Sequence, residues 1–419
     1  MDNAPQPPIS KPMTFDTDIL IAGGGLNGTS LALALASAGF DVTVVDPLAA
    51  SKRAAGDFDG RGYALSIASQ RVLKALGVWP AVSDGAQPIL DIKVTDGRPG
   101  EGPSPMMLAF DHAEIEEGPM GFLVEDRHLR PALLAAVNDA QITQLSGRRV
   151  VEQVADANGI SVTLDDQTSL RARLLIGCDG KTSGVATRAG IKRIGWQYGQ
   201  TALVCAIEHE MPHDGTAHQF FMPSGPLAIL PLKGNRASIV WTEKSERAAE
   251  IQALEDVLYL DVLRPRFGDF LGDISLAGKR FSYPLGLSLA QSFVGPRVAL
   301  VGDAAHSVHP IAGQGLNAGL KDVAALAEVL ADAIRCGEDI GRADVLSRYR
   351  QWRRFDTATL ALATDGFNRL FSNDNGILRA IRDLGLGAAN ALPGLRRGLI
   401  REAAGLTGDL PRLAKGQPL

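Results

Sequence analysis

The stretch DILIAGGGLNGTSLALALASAGFDVTVVD, residues 18–46, constrains the fold more than any other. Asp18 to Ala22 is a short aliphatic run, and Gly23-Gly24-Gly25-Leu26-Asn27-Gly28 is a turn with the spacing GxGxxG. Thr29 to Ala38 then carries helical periodicity, and Asp41 to Val45 is a second strand ending on Asp46. Strand, glycine turn, helix and strand make a βαβ unit. In such a unit Gly23 turns the chain tightly, Gly25 lets a pyrophosphate approach the backbone, and Gly28 lets helix and strand pack closely. The helix N-terminus supplies amides and partial positive charge. Asp46, at the tip of the second strand, can accept hydrogen bonds from ribose hydroxyls and would repel a 2′-phosphate. The pattern predicts a dinucleotide site without separating NAD from FAD.

Two more strands end in glycine and acid. Arg173 to Ile176 runs into Gly177-Cys178-Asp179-Gly180, and Val298 to Val301 breaks at Gly302 into Asp303. After that second break, Pro310 and the glycines Gly313, Gly315 and Gly319 form a loop before helical periodicity resumes through Leu316, Leu320 and Val323. Three such strand ends predict one sheet assembled from distant segments. Between them, Ala202 to Glu208, Leu227 to Leu232 and Ala237 to Trp241 read as an antiparallel sheet of a second, inserted domain. Beyond about Val345 the pattern is helical and rich in arginine.

The expected division is a loose arm over 1–16, a discontinuous nucleotide-binding domain over 17–85, 122–190 and 282–345, and a substrate domain over 86–121 and 191–281. A C-terminal helical region over 346–419 completes it. The net charge of -5 argues against nucleic acid as a partner. From Arg342 onward, however, 13 Lys and Arg stand against 7 Asp and Glu, a candidate docking surface for membrane or protein. Three dispersed cysteines fit a reducing cytoplasm, and no apolar run reaches the length of a membrane span.

Taken together, GGGLNG, CDGKTS and GDAAHSVHPIAGQGLNAG resemble the three fingerprints of the single-component, FAD-dependent aromatic hydroxylases. HPIAGQGLN and the late TDGFNRLFSNDN…REAAGLTGDLP tail are closest to the ubiquinone-biosynthesis members of that family. The resemblance implies an α/β fold with a Rossmann-like FAD-binding domain of the para-hydroxybenzoate-hydroxylase type. An inserted antiparallel-sheet substrate domain and a C-terminal helical region would complete that fold. It implies that Asp303 binds the ribityl chain, that Asp179 belongs to a second cofactor-contacting motif, and that Gly313, Gly315 and Asn317 lie at a helix start facing the flavin. Pro310 would shape the space over the central ring and His306 would lie near it. Arg61, in DGRGYAL, and Arg127, in GFLVEDR, would contact the cofactor. The family has an arginine where this chain has Ala186, with Arg188 two residues further on.

By the same resemblance, NAD(P)H reduces the flavin, dioxygen adds to give a C4a-hydroperoxyflavin, and one oxygen passes to the ring of a hydrophobic prenylphenol in ubiquinone biosynthesis. The site is expected to hold no metal, although His306 and His309 form an HxxH pair. Tyr198, Gln200, Phe220 and Pro231-Leu232 are candidates for the substrate wall. The expected location is cytoplasmic and peripheral to the inner membrane, with quinone-biosynthesis proteins as candidate partners. Rival readings are a hydroxylase for another aromatic compound, a non-catalytic nucleotide-binding subunit, and an NAD-dependent dehydrogenase. The dehydrogenase would leave the later glycine-acid turns unexplained. A flavin halogenase would need a WxWxIP segment, and Trp79, Trp196, Trp241 and Trp352 stand alone.

Overall fold

The computed structural model describes residues 14–53, 60–100, 102–308, 313–371, 385, 387 and 389–419. The expected site residue Pro310, together with His309, lies outside them. Three sheets organise the chain. The first has eight strands, and its parallel part runs in the order 298–300, 169–177, 17–22, 42–46, 143–146. Register pairs Ala22 with both Gly177 and Val45, and Gly177 with Leu300. All three glycine-acid turns therefore leave the sheet along one edge, as the strand endings predict. The central strand Thr17–Ala22 has Ile19, Leu20 and Ile21 fully buried because helices cover the parallel sheet, which explains the aliphatic run without alternation.

The covering helices are Leu26–Ser37 and Gln314–Arg335. Leu31, Ala32, Ala34 and Leu35 of the first are fully buried, as are Val323 to Ala327 of the second. The small side chains allow close approach. At Gly319 a Cβ would meet the Asn27 side chain at 2.4 Å, so a larger residue would displace Asn27 where the two helices touch.

The second sheet has nine strands in the order 306–307, 281–290, 193–209, 236–244, 225–232, 216–222, 91–98, 102–111, with 274–276 added at the side of 193–209. It is antiparallel except where 216–222 and 91–98 run parallel. The strand Arg193–His209 is much longer than the run Ala202 to Glu208, because Arg193 to Gln197 continue alongside Phe281–Ala290. The chain is thus still in this sheet where the expected cofactor segment begins at 282. The third is a small sheet of Gly62–Ser66, Gly121–Glu125 and Gln87–Ile89, and the strands 91–98 and 102–111 of the nine-stranded sheet fall between its last two in sequence.

The charge asymmetry has a structural cause. Arg348 is paired with Glu338 and Arg396 with Glu114, while Arg412 is paired with Glu328 and Asp332. Arg353 is paired with Asp322 and Asp356. Most of these acids belong to the acidic part of the chain, so the arginines fasten the C-terminal region to the body.

Candidate functional site

The edge of the parallel sheet forms a cradle built mostly of backbone. Gly23 has φ +107°, and a Cβ there would meet the Cys178 carbonyl oxygen at 2.3 Å. At Gly28 a Cβ would stand 1.9 Å from the Gly23 oxygen, whereas at Gly25 it would meet nothing within 4 Å. Gly23 and Gly28 are therefore required by the protein's own packing, and Gly25 leaves open space at the N-terminus of the helix Leu26–Ser37. Asp46 accepts from the Gly24 amide at 2.7 Å and the Leu48 amide at 2.8 Å, locking the second strand's tip to the turn. Arg53, buried beside it, donates to the Gly24 carbonyl at 3.0 Å and the Ser146 hydroxyl at 2.9 Å.

The other two turns close on the first. Asp179 accepts from the Ser183 hydroxyl and from the Val185 amide at 3.1 Å, capping the short helix Gly184–Arg188. Arg188 donates to Gln153 at 3.2 Å, and Ala186 is buried. Gly302, at φ +63°, abuts the Asn27 amide of the glycine turn. Asp303 beside it has a half-buried carboxylate with no hydrogen-bond partner among the described residues. Its carbonyl accepts from Arg193 at 3.1 Å, and the Ala304 carbonyl accepts from the same guanidinium. Gly23, Gly25, Gly28, Asp46, Asp179 and Asp303 are thus brought together.

The remaining predicted residues lie around the small sheet. Gly313, in the left-handed region at φ +65°, precedes the helix Gln314–Arg335 and touches Ala64. Asn317 accepts from the Ser66 amide at 2.9 Å and the Ser69 hydroxyl at 2.7 Å, and donates to the Ala64 carbonyl at 2.8 Å. Its side chain is spent on joining helix to sheet. At Gly315 a Cβ would meet nothing within 4 Å. Arg61 lies 3.4 Å from Asp126, and Arg127 lies 2.7 Å from the buried Glu125.

A cavity of about 360 Å³ opens between the small sheet, the nine-stranded sheet and the helix Pro393–Ala403. Gln314, Asn317 and Ser66 are among its lining residues, and the walls are largely apolar, with Leu108, Phe221 and Leu230 among them. The expected wall residues Phe220 and Pro231 each miss it by one position, and Leu232, on the face of Leu230, lies two positions beyond it. Successive side chains of a strand face opposite sides, so Phe220 lines a second cavity of about 310 Å³ across the sheet. Gln200 donates to the Ser224 carbonyl at 2.8 Å and lines neither cavity.

The family described as FAD binding domain matches residues 16–360. The chain belongs to this FAD binding domain family. Ubiquinone hydroxylase UbiL of Rhodospirillum rubrum is 45% identical over 406 residues, 96% of this chain and 93% of the relative. The 3-demethoxyubiquinol 3-hydroxylase of Escherichia coli is 35% identical over 93% of this chain and 99% of its own. Among solved structures, p-nitrophenol 4-monooxygenase PnpA of Pseudomonas putida superposes with a TM-score of 0.77 at 20% identity, covering 94% of this chain and 98% of that one. That likeness establishes the para-hydroxybenzoate-hydroxylase type of fold. The protein is a flavoprotein monooxygenase with FAD as cofactor, and NAD(P)H is the usual reductant of its family. Its substrates are dioxygen and a hydrophobic aromatic compound.

The cradle of this FAD binding domain fits the cofactor on its own evidence. Gly25 leaves room for a diphosphate, Asp303 keeps a free carboxylate for sugar hydroxyls, and Asn27 Oδ1 is buried without a hydrogen-bond partner. The domain also depends on residues that carry no motif. Asp322, fully buried, accepts from His306 Nε2 at 2.6 Å, from Arg353 at 2.7 Å and from the Gly302 amide at 3.0 Å. Burial pushes its carboxyl up, but His306 and Arg353 more than offset this and hold it below the usual aspartate range. His306, expected beside the flavin ring, thus spends Nε2 on an aspartate that fixes the Asp303 turn. A second cluster joins Asp126 to Tyr63 at 2.7 Å and to Arg130 at 2.8 Å. Nothing in the sequence flags Arg193 or the pairing of Arg353 with Asp322, because these partners are remote along the chain. An acid in the middle of an Ala-rich buried helix is the one legible sign.

Proposed function

We propose that the protein is an FAD-dependent monooxygenase that hydroxylates the aromatic ring of a prenylated phenol in ubiquinone biosynthesis. The observation that carries this reading is an apolar cavity lined by Gln314 and Asn317, at the start of the helix expected to face the flavin. The names of the relatives at 45% and 35% identity support the pathway. On this reading Gly23, Gly25 and Gly28 with the first helix N-terminus receive the diphosphate, Asp46 a ribose and Asp303 the ribityl chain. Asp179 shapes the second turn, and Arg61 and Arg127 reach the cofactor from the small sheet. Gly313 and Gly315 bring helix amides toward the ring system, where they favour negative charge on it. Bound FAD supplies the activated oxygen. The walls around Leu108, Phe221 and Leu230 exclude water and hold the ring carbon in place. Pro310 is assigned by the family motif alone. His306 is a positioning residue that acts through Asp322.

The segments 17–85, 122–190 and 282–345 carry the cofactor and 86–121 with 191–281 the substrate, the strand 281–290 bridging the two. No helix among the described residues is long and apolar enough to cross a membrane. A peripheral contact with the inner membrane or a quinone-biosynthesis protein through 346–419 would draw on exposed arginines such as Arg350, Arg354, Arg397 and Arg401 and on exposed apolar positions. The test is oxygen uptake and NAD(P)H oxidation by flavin-loaded protein with prenylphenols, with mass spectrometry of the product. A product one oxygen atom heavier is expected. Uptake that no phenol stimulates would leave a nucleotide-binding subunit as the better reading.

A further inference from the structure

The C-terminal wall of the larger cavity continues onto the surface. Ala389 packs against the cluster of Leu108 and Phe221, and Asn390 accepts from the Ala109 amide at 3.0 Å. Further on, Arg396 grips Glu114, and Ile400 and Ala404 pack with Ile67, Ile115 and Met120. The helix Pro393–Ala403 is therefore anchored before, along and at the end of its length. Its other face is not covered: Leu392 is 55%, Leu395 50% and Leu399 37% exposed. These three leucines follow one another at spacings of three and four, so they form one stripe along the helix. Leu399 also lines the cavity, which makes stripe and cavity one continuous apolar surface.

A cavity of about 360 Å³ sits near the lower end of the roughly 300–1,000 Å³ typical of drug-sized ligands. It has room for a substituted ring and a short stretch of tail. The ring belongs beside Gln314 and Asn317, and Leu399, which lines the same cavity and is itself exposed, gives a tail an apolar way out onto the stripe. Three adjoining exposed leucines at the mouth need an apolar occupant, because isolated surface leucines rarely line up in this way. We infer that Leu392, Leu395 and Leu399 form the bed on which the isoprenoid tail of the substrate lies outside the cavity, so that this helix reads tail length. The inference rests on the prenylphenol reading above.

The test compares binding of two phenols with the same ring, one without a tail and one with several isoprene units. Binding to the flavin-loaded protein is followed by the change in flavin absorbance. The wild type is expected to bind the long-tailed compound at least about tenfold more tightly. In the double variant Leu392→Gln, Leu395→Gln that preference is expected to disappear, with flavin content and circular dichroism unchanged. An unchanged preference, or equal weakening for both phenols, overturns the tail bed. Loss of binding to phosphatidylcholine vesicles with the preference intact overturns it in favour of a lipid-facing surface. A wild type that binds both phenols equally refutes the tail bed alone. If neither phenol binds it, the prenylphenol reading falls and the tail bed with it.

Discussion

The cofactor cradle and the substrate cavity lie side by side, yet they are built from different materials. The cradle is made of backbone: Gly23 and Gly28 are fixed by close contacts, and Asp46 and Asp179 accept from main-chain amides. The cavity is made of side-chain volume contributed by the small sheet, four strands of the nine-stranded sheet, the start of the helix Gln314–Arg335 and a helix near the C-terminus. Where backbone does the work, residue type at a given spacing is nearly forced. Where volume does the work, many apolar sequences serve equally well. The first kind of site is conspicuous in a sequence and the second is not.

The largest effect separating the two regions should come from beneath the cradle. Asp322→Ala leaves the Arg353 guanidinium, 2% exposed, facing only Asp356, and removes the acceptor of His306 and Gly302. A loss of about 3–5 kcal/mol in unfolding free energy is expected by denaturant titration. The wild-type contribution should depend on pH in a definite direction. The folded carboxyl titrates below its ordinary value of 3.8, so its stabilisation is complete above that value and is lost as pH falls below it. A variant as stable as the wild type would show that the buried triad is incidental.

Gly25→Ala tests the cradle alone. The new methyl group meets no protein atom, so apoprotein stability should hold to within about 1 kcal/mol. The methyl group occupies the space assigned to the diphosphate, and FAD affinity should fall about 100-fold, or about 2.7 kcal/mol, in a flavin fluorescence titration. Unchanged affinity would move the diphosphate elsewhere. Ala217→Leu tests the cavity alone, because it adds volume to the wall while standing in the other sheet. Flavin content should stay constant, and KM for the phenol should rise about tenfold, or about 1.4 kcal/mol. Equal loss of flavin and phenol binding would mean that the two regions are not separable.

How much of this could be read in advance follows the same division. The three strand ends, their shared edge and the glycine turns were legible because the GxGxxG spacing and the glycine-acid breaks admit few other geometries. The antiparallel layer was legible as strands, but its faces were not: Phe220 and Phe221 differ by one position and line different cavities, and only the strand register decides which. Arg353 and Arg193 were invisible, and Asp322 nearly so, since their partners, an acid or a base in one case and main-chain carbonyls in the other, lie far away along the chain. Of the basic C-terminal region the sequence shows the charge but not its use, since acids remote along the chain, such as Glu114, pair with some of its arginines.

Asn317 belongs to both regions and gives the finest test of their separation. Its side chain ties Ser66 and Ala64 to the helix start, and the same residue lines the cavity beside the place assigned to the flavin. Asn317→Ala would strand the buried Ser66 amide and relax the junction at a cost of about 1 kcal/mol. Unlike the Gly25 and Ala217 variants, it should weaken FAD and phenol binding together, each only a few-fold. A loss confined to FAD would place Asn317 in the cradle, and a loss confined to phenol would place it in the cavity wall. A joint loss would establish that the helix start couples cofactor position to substrate position, which a hydroxylase needs if its ring carbon is to meet activated oxygen before water does.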